Sequence, residues 1–267
     1  MADFKDILSR IKQAINSFNG SMPAAQKEMY GEISAELKRL DTNGDKIKVT
    51  VANLKIVNSI KNKLTGLLLT DKYIGNVKEF AGAFNDITRL QNEYWTAAES
   101  TFKPKTLLKE IKAQAIGETV AQLTEAGIGS SVSNEIGEIL NSQIKSGGSY
   151  KQLQAQLLES LTDTQKSDGI VTRYARQITT DAVNQYSAQY TNAVSADLGY
   201  EWFAYQGSDI VTTRPFCDAM TDLRYFHISE VPRLLRAEDL YYTKDGIHIV
   251  TGKQGIVTGK QIGRAHV

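Results

Sequence analysis

The residue types able to do chemistry in this chain gather in one stretch, TRPFCDAMTDLRYFHIS, at 213–229. It holds Cys217, the single cysteine of 267 residues, and His227, one of three histidines. A thiolate nucleophile needs a base within hydrogen-bond reach and a third group to orient that base. Cys217, His227 and either Asp218 or Asp222 have the right side chains. Their spacing does not join them, because a turn and a strand-like run separate the thiol from the imidazole. No Gly-rich phosphate loop, His-Glu metal motif or Gly-x-Ser-x-Gly elbow accompanies them. The expectation is therefore a protein that is not an enzyme, with no catalytic residues. Cys217, lacking a disulfide partner in its own chain, reads first as a small buried apolar residue. A nucleophile, a metal ligand or half of a missing pair are the sharper alternatives.

A second string, DTNGD at 41–45, invites a calcium loop. Such a loop needs Gly at its sixth position and a bidentate Glu at its twelfth, and those positions are Lys46 and Ala52. The string is expected to be an Asn-Gly turn instead.

Apolar residues at 41% and charged residues at 23% permit a folded core, and a net charge of +1 gives no global attraction to nucleic acid or membrane. The N-terminal run MADFKDILSRIKQAINSF alternates charge with apolar residues at helical spacing and lacks the apolar core of a signal peptide. No window approaches the ~18 continuous apolar residues of a spanning helix, so no membrane partner is expected.

The elements that would hold these residues are mostly helical. Phe4, Ile7, Leu8, Ile11, Ile15 and Phe18 share a helical face closed by Asn19-Gly20 and Pro23, and a second helix is expected over 24–40 with Tyr30, Ile33, Leu37 and Leu40 inward. Val51, Leu54, Val57, Ile60, Leu64 and Leu67 predict a third. Further helices are expected at 73–100, 105–126 and 131–145, with Gly127 as a C-cap and Ser133 as an N-cap. A glycine break then leads to a short amphipathic helix. From 168 to 198, Tyr174, Ile178, Ala182, Tyr186, Tyr190, Val194 and Leu198 recur every four residues, and Gly199 stops the helix. YEWFAYQ at 200–206 is β-prone, and YYTKDGIHIV at 241–250 reads as a hairpin turning on Asp245-Gly246. The fold class is α+β and mainly α: an N-terminal helical bundle or arm, then a small module with one long helix and a short β-sheet, the boundary falling near 145–168.

The window from Lys46 to Leu69 carries Lys46, Lys48, Lys55, Lys61 and Lys63 and no acidic residue. It reads as a solvated lysine face on a core helix, or as a contact for nucleic-acid phosphates or an acidic protein surface. Without arginine or stacking aromatics, it does not suit sequence-specific recognition of nucleic acid.

Residues 168–228 resemble the phage Mu F-like family of head-morphogenesis proteins, the minor head or minor capsid proteins of tailed phages. In that family a helix carrying Arg, Thr, an acidic residue and Asn leads through glycine into a Trp-bearing strand, then to an Asp, a Thr-Arg-x-x-Cys turn and a short hydrophobic strand. The matching residues are Arg176, Thr180, Asp181 and Asn184 on the helix, Gly199, Trp202, Asp209, and Thr213, Arg214 and Cys217 in the turn, with Tyr225 and Phe226 closing it. Where the family usually has Gly before its closing strand, this chain has Asp222-Leu223-Arg224. The resemblance implies a structural and assembly role in the virion or procapsid, formed in the host cytoplasm. It implies portal and capsid proteins as partners, packaged double-stranded DNA as a further one, and a part in head morphogenesis and in DNA packaging or delivery. A DNA-binding module acting through Lys46–Lys63 is the alternative, and a cysteine-dependent enzyme a remoter one. Under the resemblance, Trp202, the tyrosine stripe and the Cys217 turn stabilise the module, with Arg214 and Asp209 fixing the turn. Family members also carry a later Cys/His cluster, which would make Cys217 half of a zinc site in a longer chain; no cofactor is expected in this one.

The C-terminal end has a different character. IVTGKQ occurs at 249–254 and again at 256–261, and the final IGRAHV reads as the translation of a common short-read sequencing adapter. The natural frame is expected to be lost by Gln261 at the latest, which places His266 in a scar. His227 and His248 sit in apolar, strand-like settings and are expected to be structural or surface residues. The expected domains are a helical docking region at 1–150, the Mu F-like module at 151–250, and an artefactual or disordered tail at 251–267.

Overall fold

A computed structural model describes residues 3–165, 167–205, 225–230, 240–243, 246–249 and 265–266. The protein is α+β and mainly helical. In chain order come α1 (Phe4–Gly20), α2 (Met22–Leu37), β1 (Thr42–Asn43), β2 (Lys46–Ile47), α3 (Val51–Leu68), α4 (Asp71–Ala98) and α5 (Thr106–Gln122). They are followed by α6 (Ser130–Lys145), α7 (Tyr150–Leu161), α8 (Ile170–Asp197), β3 (Trp202–Tyr205), β4 (Tyr225–His227), β5 (Leu240–Thr243), β6 (Gly246–Ile249) and β7 (Ala265–His266). Among the described residues, no helix is long and apolar enough to cross a membrane. The chain divides into two compact units, Met1–Tyr94 with Gln114–Asp181, and Trp95–Ala113 with Ala182–Val267. Residues 145–168, where a boundary was expected, lie inside the first unit.

In the first unit, α2 packs on α3 and α7, α3 on α6, and α6 on α7. Four helices thus close a bundle. Its core is made by Met29, Ile33 and Leu37 from α2, Val57, Ile60 and Leu64 from α3, Ile136, Leu140 and Ile144 from α6, and Leu153, Leu157 and Leu161 from α7, all buried. Each such side chain contributes about 1.5–3 kcal/mol by leaving water. An aromatic row joins α1 to α4: Phe18 meets Tyr73 and Phe80 at ring-centroid distances of 6.0 and 5.4 Å, and Phe80 meets Phe84 at 6.0 Å. The Tyr73 hydroxyl donates to the Leu123 carbonyl at 2.8 Å, and burial pushes that phenol well above its ordinary pKa.

Several local expectations shift. Pro23 opens α2 rather than closing α1, since proline is tolerated where a helix's first N–H groups have no intrahelical partner. Ser133 is not an N-cap; it lies within α6, with its hydroxyl 3.2 Å from that of Thr65. The break comes earlier, at a π-turn over Glu125–Gly129, where a Cβ on Gly127 would stand 2.0 Å from the Gln122 carbonyl oxygen. On α3, Val51 is exposed and Leu54 and Leu67 half-buried, while Asn53 and Leu68 take the inward phase with Val57, Ile60 and Leu64. Leu8 on α1 likewise faces out, and Ala14 faces in.

Along α8, the buried line starts one residue away from the expected stripe. Val171, Ala175, Thr179 and Val183 are buried, whereas Tyr174, Ile178 and Ala182 are only half-buried; the two lines merge at Tyr186, Tyr190 and Val194. A strict four-residue step drifts about 40° per step around a 3.6-residue helix, so it cannot stay on one face for the whole of α8.

The second unit contains α8 from Ala182 onward and most of the strands. Antiparallel pairs form β4–β3–β7 and β5–β6, the latter with Thr243 opposite Gly246, so Gly246 begins β6 instead of sitting in the expected turn.

Candidate functional site

The expected motif begins on α8. Arg176 forms an ion pair with Asp168 at 2.5 Å. Thr180 and Asn184 are half-buried and Asp181 is exposed. Arg173, one turn before Arg176, donates to Glu135 on α6 at 2.7 Å, which raises the guanidinium's affinity for its proton. Gly199 ends the helix with φ +73°, a conformation that glycine adopts without Cβ strain. Tyr200 N–H bonds the Ser195 carbonyl at 2.8 Å and Gly199 N–H the Ala196 carbonyl at 3.3 Å, the paired bonds of a Schellman stop. Asp209, Thr213, Arg214 and Cys217, together with Asp218 and Asp222, lie outside the described residues.

Trp202 departs from expectation. It lies on β3 with 62% of its surface exposed, and its ring meets that of His227 edge-on at 5.2 Å across the β3–β4 pair. The tryptophan that packs is Trp95. It is 6% exposed, with Phe102 at 6.5 Å and Tyr200 at 6.3 Å, and the Tyr200 hydroxyl donates to Glu99 at 3.4 Å. Thr101 donates to Glu99 from its backbone and its hydroxyl, holding that carboxyl below its ordinary pKa. A residue on a short sheet with one solvated face stays wet, whereas a helix residue at a buried phase with an aromatic seven positions later finds a partner.

One Ser–His–carboxylate line emerges that the sequence did not reveal. The His227 Nδ1 lies 2.8 Å from the Ser229 hydroxyl, and Nε2 lies 3.4 Å from Glu201. Ser229 N–H also donates to Nδ1, at 3.2 Å. A neutral ring whose Nδ1 accepts that bond carries its proton on Nε2, toward Glu201. With Nδ1 unprotonated, the Ser229 hydroxyl is the donor in the 2.8 Å bond, and the arrangement ties the end of β4 to Glu201, the residue before β3. Among the described residues, no group of three or more His, Cys, Asp or Glu side chains is placed to hold a metal ion.

The lysine window is divided by the structure. Lys48 pairs with Asp41 at 2.9 Å and Lys63 with Glu36 at 2.5 Å. Lys63, followed by Arg39, holds the Glu36 carboxyl below its ordinary range. Lys61 lays its stem across α6, since a Cβ on Gly137 would stand 2.7 Å from the Lys61 Cε. Lys46 and Lys55 are exposed.

Behind these lysines stands Asn53, 0% exposed. Its amide nitrogen donates to the carbonyls of Asp41 and Lys48 at 2.9 and 2.7 Å, and its oxygen accepts the Asp41 N–H at 2.9 Å. A second polar cluster joins buried Gln26 to buried Thr172 at 2.7 Å and to the exposed Asp163 at 3.0 Å, while Asp163 accepts the Gly169 N–H at 2.8 Å. Asn53 was legible in retrospect, as the one polar residue at the core phase 53, 57, 60, 64, 68. The Gln26 cluster joins residues too distant in sequence for any local signal.

A shallow groove between α6 and α7 is lined by Glu138, Ile139, Ser142, Gln143, Gln156, Glu159 and Ser160, with Gln143 donating to Gln156 at 2.8 Å across it. Carboxylates, amides and hydroxyls of this kind can hydrogen-bond a partner but supply no activated nucleophile. No family model, curated protein or solved structure matches the chain.

Proposed function

We propose that the protein is a structural and assembly component of a tailed-phage head, a minor head protein of the Mu F-like kind. It acts in procapsid morphogenesis and in DNA packaging or delivery, and it docks at the portal. The observation that carries this reading is the ordered string Arg176, Thr180, Asp181, Asn184, Gly199, Trp202, set on a long helix, a left-handed glycine stop and a short strand. A helical bundle with polar and charged outer faces suits docking more than turnover. Cys217 is then structural, as a core thiol or as half of a zinc site completed in a longer chain. Gradient sedimentation of the chain co-expressed with the portal protein of the same phage tests the proposal. Co-migration with the portal ring is expected. A chain that stays at its free position while the portal assembles overturns it.

A further inference from the structure

The corner between β2 and α3 is built more firmly than an idle connection needs to be. Asn53 fixes Asp41 and Lys48 from beneath, Lys48 N–H bonds the Asp41 carbonyl at 3.0 Å, and Thr50 N–H bonds the Lys48 carbonyl at 3.0 Å. The Thr50 hydroxyl then caps α3 by accepting the Asn53 N–H at 3.2 Å. On this fixed backbone Val49 and Val51 stand 61% and 70% exposed, more open than the scattered exposed leucines of the same unit, Leu8 at 46% and Leu158 at 44%. Two β-branched apolar side chains are thereby held in water with their backbone already ordered, so little conformational entropy is left to lose on docking.

Around them exposed lysines (Lys46, Lys48 and Lys55) outnumber the exposed carboxylates (Asp41 and Asp45). Ile47 is buried, so strand alternation turns Lys46 and Lys48 outward. Lys55 stands one helical turn beyond Val51, on the same side of α3. Both carboxylates have partners: Asp41 pairs with Lys48, and Asp45 accepts from the Ser149 hydroxyl and the Lys151 N–H.

We infer that the Lys46–Lys55 corner is a docking surface for an acidic protein segment bearing aliphatic side chains, which would cover Val49 and Val51 and meet Lys46 and Lys55 with carboxylates. Phosphates would use the lysines but leave both valines wet, and neither arginine nor an aromatic ring lies in this stretch to read or stack a base. The inference holds whether or not the partner belongs to a phage head.

The test is fluorescence anisotropy of a short labelled glutamate-rich peptide carrying several leucines, titrated with the full-length chain. Saturable binding is expected, weakened about tenfold by the double variant Val49→Ser/Val51→Ser and, separately, by Lys55→Glu, with circular dichroism unchanged because all three side chains are exposed. Absence of saturation up to about 1 mM chain overturns the inference. So does binding that survives the valine changes, or short duplex DNA binding more tightly than the peptide, which would make the corner a phosphate surface.

Discussion

Trp95 lies 6% exposed against Phe102 and Tyr200, whereas Trp202 is 62% exposed on β3. Truncating them separates the roles that residue type alone cannot. Trp95→Ala should cost about 3–5 kcal/mol, the range for emptying a buried aromatic site, while Trp202→Ala should stay within about 0.5 kcal/mol. Urea melts of both variants check this, and equal losses would mean that Trp202 is packed as firmly as Trp95. Asn53 is the polar counterpart. Asn53→Ala leaves the Asp41 N–H without a partner and the Asp41 and Lys48 carbonyls with only their backbone bonds, so a loss of about 1–3 kcal/mol is expected. Amide exchange should quicken first at Asp41 and Lys48, whose bonds report on the corner itself.

Among the elements, the β1–β2 hairpin and α7 illustrate how a turn gains a tertiary role. Gly44 turns the chain at φ +60°, and Asp45 beside it is carried to the start of α7. There its carbonyl accepts the Tyr150 N–H at 2.7 Å and its carboxylate the Lys151 N–H at 3.1 Å, while Ser149 caps the helix by accepting the Gln152 N–H at 3.0 Å. The Ser149 hydroxyl first, then the Lys151 N–H, hold Asp45 below its ordinary carboxylate pKa. A lowered folded-state pKa contributes stability that is complete above the unfolded value and fades as pH falls through the folded one. The hairpin's hold on α7 should therefore loosen only in acid, below the usual aspartate range. In Ser149→Ala, the Asp45 carboxyl should titrate nearer its ordinary value, as read by carboxyl-carbon shifts. Helix α7 should lose about 1 kcal/mol with its cap. An unchanged titration would assign the shift to the backbone contact alone.

For the whole molecule, chain order and spatial grouping differ. The first unit takes Met1–Tyr94 and Gln114–Asp181, and the second takes the rest. The bundle needs α7, which packs on both α2 and α6, and the Gln26 cluster needs Asp163 and Thr172. A fragment of residues 1–150 lacks all three, and Leu153, Leu157 and Leu161 with them. It should keep helical circular dichroism but melt without a sharp transition, whereas residues 1–181 should melt cooperatively. Matching melts would place the functional break of the bundle near 150 after all.

The sequence by itself determined the α+β class, the number and approximate span of the long helices, the Gly199 stop and the hairpin positions. These follow from periodicity, capping and turn chemistry, which act over a few residues. It held the inward phase of α3 at Val57, Ile60 and Leu64 but missed it at both ends, and it placed the first half of the α8 stripe one residue away, because steps of strictly three or four drift round a 3.6-residue turn until a neighbouring helix chooses the buried side. Which tryptophan is buried, which lysines meet carboxylates, and how Asn53 and Gln26 are satisfied were decided only in the tertiary structure. Partners such as Gln26 and Thr172 stand far apart in the chain, and a buried amide or a charge is assigned its role only by the groups that folding brings against it.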